Sequence, residues 1–438
     1  MFLQQLPNAL RWPLLFVIGA AIAALTNLAI YRLAIFSKRN VSPWSPPPTP
    51  DRPRTMLDRI PIVGWIFLRR ESDVYGKRHW LRPMMIELVM AFGFAWFFHW
   101  YMAGGLYGGA DRKLIAEQAD IAASWNFGWF MFHWVLFVLM IVATFIDFDE
   151  QMIPDWITIP GTVFAVVCHA IAPTLRLPVR INELLAVRLA PLDFWSPGKP
   201  MEWHFEIWGP VTAVAIILVW CFALLPKWTT LRWGVARGCK IMVASVIRPP
   251  RKTKGTVPRT TPRKMLVATK VLAVLAVVMV PFILVMFTSV GGVRWTALMD
   301  SLLGLAMGGG IVWAVRIIAS QALGVEAMGF DDVTLMCMVG AFIGWQGALL
   351  AFVIAPFTSI AIALIQLLAT GENRLAFGPY LCLGAAIVIV GWDWVWNEWA
   401  AKGVFALGGT FLLAMIAACL VMMAIMLGVW SQIKRRFA

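Results

Sequence analysis

Apolar stretches long enough to cross a bilayer recur along the whole chain, and this limits the fold more than any single motif does. An α-helix needs about 20 mainly apolar residues to cross the hydrocarbon core. Ten segments meet or approach that length: Trp12 to Phe36, Met84 to Met102, Phe127 to Ile146, Ile157 to Ala172, Ile207 to Leu225, Met265 to Phe287, Leu302 to Ile318, Gly347 to Leu368, Phe377 to Val395, and Val404 to Trp430. Hydrophobic residues make up 61% of the chain and charged residues 14%, against about 45–50% and about 25% in an ordinary soluble domain. No single water-soluble core can bury that excess. The expectation is an all-α, polytopic transmembrane helix bundle of about ten spans.

Local signals agree. Pro13, Pro83, Pro160, Pro210 and Pro379 fall near helix starts, where a missing N–H costs little. Trp and Phe gather near span ends, as in an interfacial belt. The first stretch carries Asn27 and Arg32 and ends without a small-residue cleavage site, so it reads as an anchor and not as a removable leader.

The net charge of +14 comes mainly from two segments between spans. Residues 37–83 hold ten Lys or Arg against Asp51, Asp58, Glu71 and Asp73, and residues 227–264 hold eleven Lys or Arg and no acid. Cytoplasmic loops of membrane proteins are basic, so the charge reads as topology and not as a nucleic-acid surface. Both loops reach the cytoplasm if the first helix runs inward. The tail Lys434, Arg435, Arg436 then falls outside after ten full spans, which points to a re-entrant or surface helix among the last three or to a tail that overrides the rule.

Cys168, Cys221, Cys337, Cys382 and Cys419 lie in or beside apolar segments and Cys239 in a basic one, with no C-x-x-C pair, so no disulfide framework and no metal site is expected. His79, His99, His133, His169 and His204 show no zinc-type spacing and read as core or interface residues. Gly308, Gly309 and Gly310 suit close helix packing or a hinge, Asp300 a helix N-terminus, and Asp393 with Glu398 an interface. No cofactor is expected.

Two acidic clusters stand out, Asp147-Phe-Asp-Glu-Gln-Met-Ile-Pro-Asp155 after the third span and Glu326-Ala-Met-Gly-Phe-Asp-Asp332 after the seventh. Under the same topology both face the cytoplasm. Charged carboxylates beside hydrocarbon are costly. Two of them brought within a few ångströms share one proton, the state an aspartic peptidase needs. From spacing alone, acids that merely cap helices remain the more economical reading.

More specific is the family resemblance. Ile146 to Asp155 resembles the I-D-x-D-x-Q-x-x-P-D segment of bacterial type IV prepilin peptidases. Glu326 to Asp332, with Val333, Leu335, Gly340, Ala341, Gly344 and Trp345, resembles their E-x-x-G-x-G-D-x-K-L...G-A-x-x-G-W segment. Phe377-Gly-Pro-Tyr380, the group Arg59, Ile60, Pro61, Ile62, Arg82, Pro83 and Glu87, and the pair Asn27 and Arg32 resemble three further blocks, in family order. The resemblance implies a membrane-embedded aspartic endopeptidase with Asp147 and Asp332 as its catalytic pair. It implies a prepilin or pseudopilin substrate with a basic leader, cleaved at the cytoplasmic face of the bacterial inner membrane in type IV pilus or type II secretion systems.

Three departures bear on what the resemblance carries. Asp331 occupies the second Gly of G-x-G-D and Thr334 the Lys; Asp331 is thus a second candidate for the working acid, though the register of Val333 and Leu335 favours Asp332. Ser42, Pro43, Trp44 and Ser45 stand where a zinc-binding Cys pair is expected, so the resemblance implies proteolysis without securing the N-methylation that accompanies it. The chain between the two aspartates is long, which suggests an insert with two spans that preserves sidedness. The organisation expected is a first helix (1–36), a basic loop (37–83), spans carrying the first aspartate (84–175), an inserted region (176–300) and C-terminal spans carrying the second (301–438). An alternative is a catalytically inactive relative serving as a membrane component of pilus assembly or secretion.

Overall fold

The computed structural model describes residues 6–34, 42–48, 53–109, 114–119, 121–182, 186–196, 202–225, 261–323, 328–370 and 377–403, with a few single positions beyond these. Nine longer helices dominate the described residues: α1 Asn8–Leu33, α2 Leu81–Met102, α3 Ala122–Glu150, α4 Asp155–Ile171, α5 Trp208–Ala223, α6 Thr261–Val285, α7 Gly292–Leu323, α8 Phe330–Thr370 and α9 Gly378–Val390. Their surfaces carry exposed aliphatic residues such as Val219, Val274 and Val277, while Asn27, Glu87, Asn126 and His133 are buried. Apolar outside and polar inside suits lipid and not water. The chain is a multi-pass membrane protein.

Six helices among the described residues are long and apolar enough to cross a membrane. A seventh span arises if α9 and the π-helical Asp393–Ala400, bent by 79° from it, count as one. Helices α4 and α5 are apolar but shorter, with 17 and 16 residues. At 1.5 Å rise per residue they fall short of a hydrocarbon core of about 30 Å. The expected tenth span and basic tail, and most of the second basic loop, lie outside the described residues.

The span expected from Gly347 begins earlier: α8 opens at Phe330 and is broken at Gly344, whose φ of 74° and ψ of 171° only glycine adopts without strain. Trp345 and Gln346 donate from the break to the Phe194 and Asp193 carbonyl oxygens. Helices α7 and α8 pack along most of their length at the centre of the bundle. Gly304 and Gly340 meet backbone to backbone there, and Gly308 and Gly309 lie against Met336 and Cys337. Small residues let the helices approach this closely. Gly310 faces open space instead.

A short antiparallel hairpin, β1 Pro178–Asn182 and β2 Val187–Pro191, follows α4 as a small addition to the helical bundle. Two buried arginines fasten it. Arg176 bonds Asp193 and, at 2.7 Å, Asp300 of α7. Arg180 reaches Asp393 at 2.6 and 2.8 Å and also bonds Glu398. Asp300 therefore sits inside α7 as a buried ion-pair partner and not at a helix start, because α7 begins at Gly292. Asp393 and Glu398 likewise serve the hairpin.

Candidate active site

Asp147 sits in the last turn of α3, which closes at Gln151 in the left-handed region (φ 52°) with the Gln151 N–H bonded to the Asp147 carbonyl at 2.8 Å. Pro154, which cannot continue the helix it follows, leads into Asp155 and α4. Asp332 sits in the first turn of α8. One helix arrives and the other departs at the same end of the bundle, so the two acids meet although 185 positions separate them. Their carboxyl groups interact electrostatically, with Asp331 beside both. Asp147 is 4% exposed and Asp332 6%.

Glycines from two motifs cradle the pair. The Gly378 backbone N–H bonds the Asp147 carboxyl, and a Cβ on Gly378 would lie 2.6 Å from Asp147 Oδ2. The Gly329 N–H bonds the Asp332 carboxyl. Asp147 Oδ2 is buried and makes no hydrogen bond among the described residues. Cys382, one turn along α9 from Gly378, shares a hydrogen bond with Thr144 and interacts with both acids. Sequence reading missed it, although the four-residue step from Gly378 puts both on one helix face. Glu326 of the second cluster lies outside the described residues.

Asp331 behaves differently from its neighbour. Its Oδ2 accepts the backbone N–H of Ile153 at 2.7 Å, joining the α3–α4 connection to the start of α8. Upstream, Arg316 of α7 donates to the Met328 carbonyl at 2.8 Å and lies over the Phe330 ring. The turn that presents Asp331 and Asp332 is thus held from α7 as well.

The first loop packs against the same end. Arg82 pairs with Asp149 at 2.6 Å, donates to the Phe145 carbonyl at 3.1 Å and covers the Phe145 ring. The buried Glu87 carboxylate receives Asn27 Nδ2, Trp65 Nε1 and the Ile62 N–H. Ile62 has φ 66° and ψ −61°, a costly conformation for a β-branched residue that this bond helps to hold.

Ser42 to Ser45 close a turn, with the Ser45 N–H bonded to the Ser42 carbonyl at 2.9 Å. The Arg54 guanidinium donates into it, to the Ser42 and Ser45 carbonyl oxygens, and forks onto Glu71 at 3.0 and 2.7 Å. A fixed positive charge and hydroxyls in place of thiolates do not fit a zinc ion. No group of three or more His, Cys, Asp or Glu among the described residues could hold a metal.

Two family models match the chain. The Bacterial Peptidase A24 N-terminal domain covers residues 17–101, the region of Asn27, Arg82 and Glu87, and the Type IV leader peptidase family covers residues 263–364, the region of Asp332 and Gly340. These two regions of the chain are similar to the type IV leader peptidase family. Asp147 lies between the two matched intervals, so its pairing with Asp332 comes from geometry.

Curated relatives agree with the family. The prepilin leader peptidase/N-methyltransferase of Xanthomonas campestris pv. campestris is 34% identical over 91 residues, 20% of this chain and 32% of the relative. Its counterpart in Escherichia coli is 30% identical over 98 residues, 22% and 44% of the two chains. That of Pseudomonas aeruginosa is 29% identical over 102 residues, 23% and 35%. The chain thus matches less than half the length of these relatives. No solved structure matches it.

Proposed function

We propose that this protein is a membrane-embedded aspartic endopeptidase that removes the basic leader from prepilin or pseudopilin substrates at the cytoplasmic face of the bacterial inner membrane. The observation that carries the proposal is the meeting of Asp147 and Asp332, buried and electrostatically coupled, at one end of the bundle. Arg82, in the first turn of α2 where the basic first loop ends, pairs with Asp149 at that same end. The excess of Lys and Arg in the loop argues for the cytoplasm.

The chemistry follows from a carboxylate and a carboxylic acid side by side. The ionised member takes a proton from water as the water oxygen bonds to the peptide carbon, and the protonated member gives its proton to the carbonyl oxygen. The gem-diol then returns a proton to the second acid. The carbon–nitrogen bond breaks, and the nitrogen leaves with the proton first taken from water. The unpaired Asp147 Oδ2 suits an oxygen that must receive or release a proton. Gly378 leaves room for the Asp147 carboxyl where a Cβ would collide with it.

The proposal covers hydrolysis and not methyl transfer, because the turn at Ser42–Ser45 is held by Arg54 and does not fit the metal. The test is the wild-type chain in liposomes with a prepilin-type substrate bearing a basic leader, read by mass spectrometry. The expected product is a single mature chain without an added methyl group. A substrate recovered intact contradicts the proposal.

A further inference from the structure

Asp331 is separated from Ile153 by 178 positions, yet its Oδ2 takes the Ile153 backbone N–H at 2.7 Å. The donor lies in the short connection between α3 and α4, six residues after Asp147, and the acceptor lies immediately before Asp332. The bond therefore runs directly between the two backbone segments that carry the proposed catalytic acids. Its position within α8 is fixed in turn: the Thr334 hydroxyl donates to the Asp331 carbonyl at 2.9 Å, and Gly329 passes so close beneath the Asp331 carboxylate that no Cβ fits there.

We infer that Asp331 is a positioning residue, a side-chain tether that holds the α3–α4 connection against the start of α8 and so sets the spacing of Asp147 and Asp332. The residue at this place does not perform the proton transfers; it acts through the backbone of Ile153. An acceptor oxygen is what the tether needs, so asparagine can replace aspartate whereas alanine and glycine cannot. This rests on the peptidase reading for its effect on turnover, but the tether itself can be read without activity.

The experiment compares wild type, Asp331→Asn, Asp331→Ala and Asp331→Gly in kcat and KM for leader release, and in hydrogen exchange of the Ile153 amide. Asp331→Ala and Asp331→Gly are expected to lose about tenfold in kcat with KM within about twofold, and Asp331→Asn to recover to within about threefold of wild type. The Ile153 amide should exchange about tenfold faster in the alanine and glycine variants only. If Asp331→Ala does not fold, Asp331→Gly carries the same comparison. Wild-type kcat in both truncated variants, or unchanged exchange at Ile153, overturns the tether. If the wild type itself releases no leader while Ile153 responds as expected, the peptidase reading falls and the tether stands.

Discussion

Arg82 and Asp149 form an ion pair at 2.6 Å that joins the first turn of α2 to the last turn of the helix carrying Asp147. The pair is half exposed, 39% and 34%, so the ion pair alone is worth under about 1 kcal/mol. The same guanidinium also reaches the Phe145 carbonyl and covers its ring. Arg82→Ala should therefore leave the protein folded and lower leader release about threefold, with Arg82→Lys recovering only part because it lacks the fork. Turnover and melting temperature measured together check this.

Gly378→Ala places a methyl group 2.6 Å from Asp147 Oδ2 and 2.9 Å from Ile153 Cδ1. The carboxylate must shift from its place to make room. A loss of about 100-fold in kcat is expected, with a melting temperature close to that of wild type. Wild-type turnover in this variant would mean that the position of Asp147 does not matter.

At the contact of Gly304 and Gly340 there is no side chain to yield, only backbone. Gly340→Val should force α7 and α8 apart and destabilise the bundle by about 3 kcal/mol or more. Thermal unfolding in detergent checks it, and Gly310→Val, facing open space, is the matched control.

Arg54 and Glu71 are 2% and 1% exposed. Arg54→Ala strands a buried carboxylate, and removing one partner of such a pair costs about 3–5 kcal/mol. The local structure of the first loop should be lost first, read as faster proteolysis between residues 42 and 75 at unchanged helix content.

The same loop supplies a dependence on pH. Burial works to raise the Asp58 carboxyl, but the Thr55 N–H and hydroxyl and the Arg70 guanidinium outweigh it and hold its pKa below the ordinary 3.8. A depressed acid stabilises the folded loop fully above its unfolded pKa and loses that contribution as pH falls through the folded one. Proteolytic protection by Asp58 should thus be constant near neutrality and fade only below about pH 3.8. Asp58→Asn should remove that acid-side fade.

The helices were legible because each apolar run had to find lipid or a helical neighbour. The start of α8 was not: its first turn carries Asp331 and Asp332, and a hydropathy pattern places charge outside a span, whereas here Asp332 is buried beside Asp147 of α3 and Asp331 is half-buried next to it. The hairpin was equally hidden. Its strands are five residues each, and what fixes them are Arg176 and Arg180 reaching acids 124 and 213 positions away. Asp300 read as a helix start only because the apolar run begins after it. For the site, the motif strings gave Asp147, Asp332 and Gly378 as separate blocks, but nothing local tells that Gly378 bonds Asp147 or that Asp331 takes the N–H of Ile153.

The central claim is that Asp147 and Asp332 work as one unit. The most direct measurement is the leader-release rate of Asp147→Asn, Asp332→Asn and the double variant in the same liposomes. Residues that act together are grossly non-additive, so each single change should cost at least about 1000-fold and the double no more than either alone. Substantial release by either single variant, or losses that multiply in the double, would contradict the account.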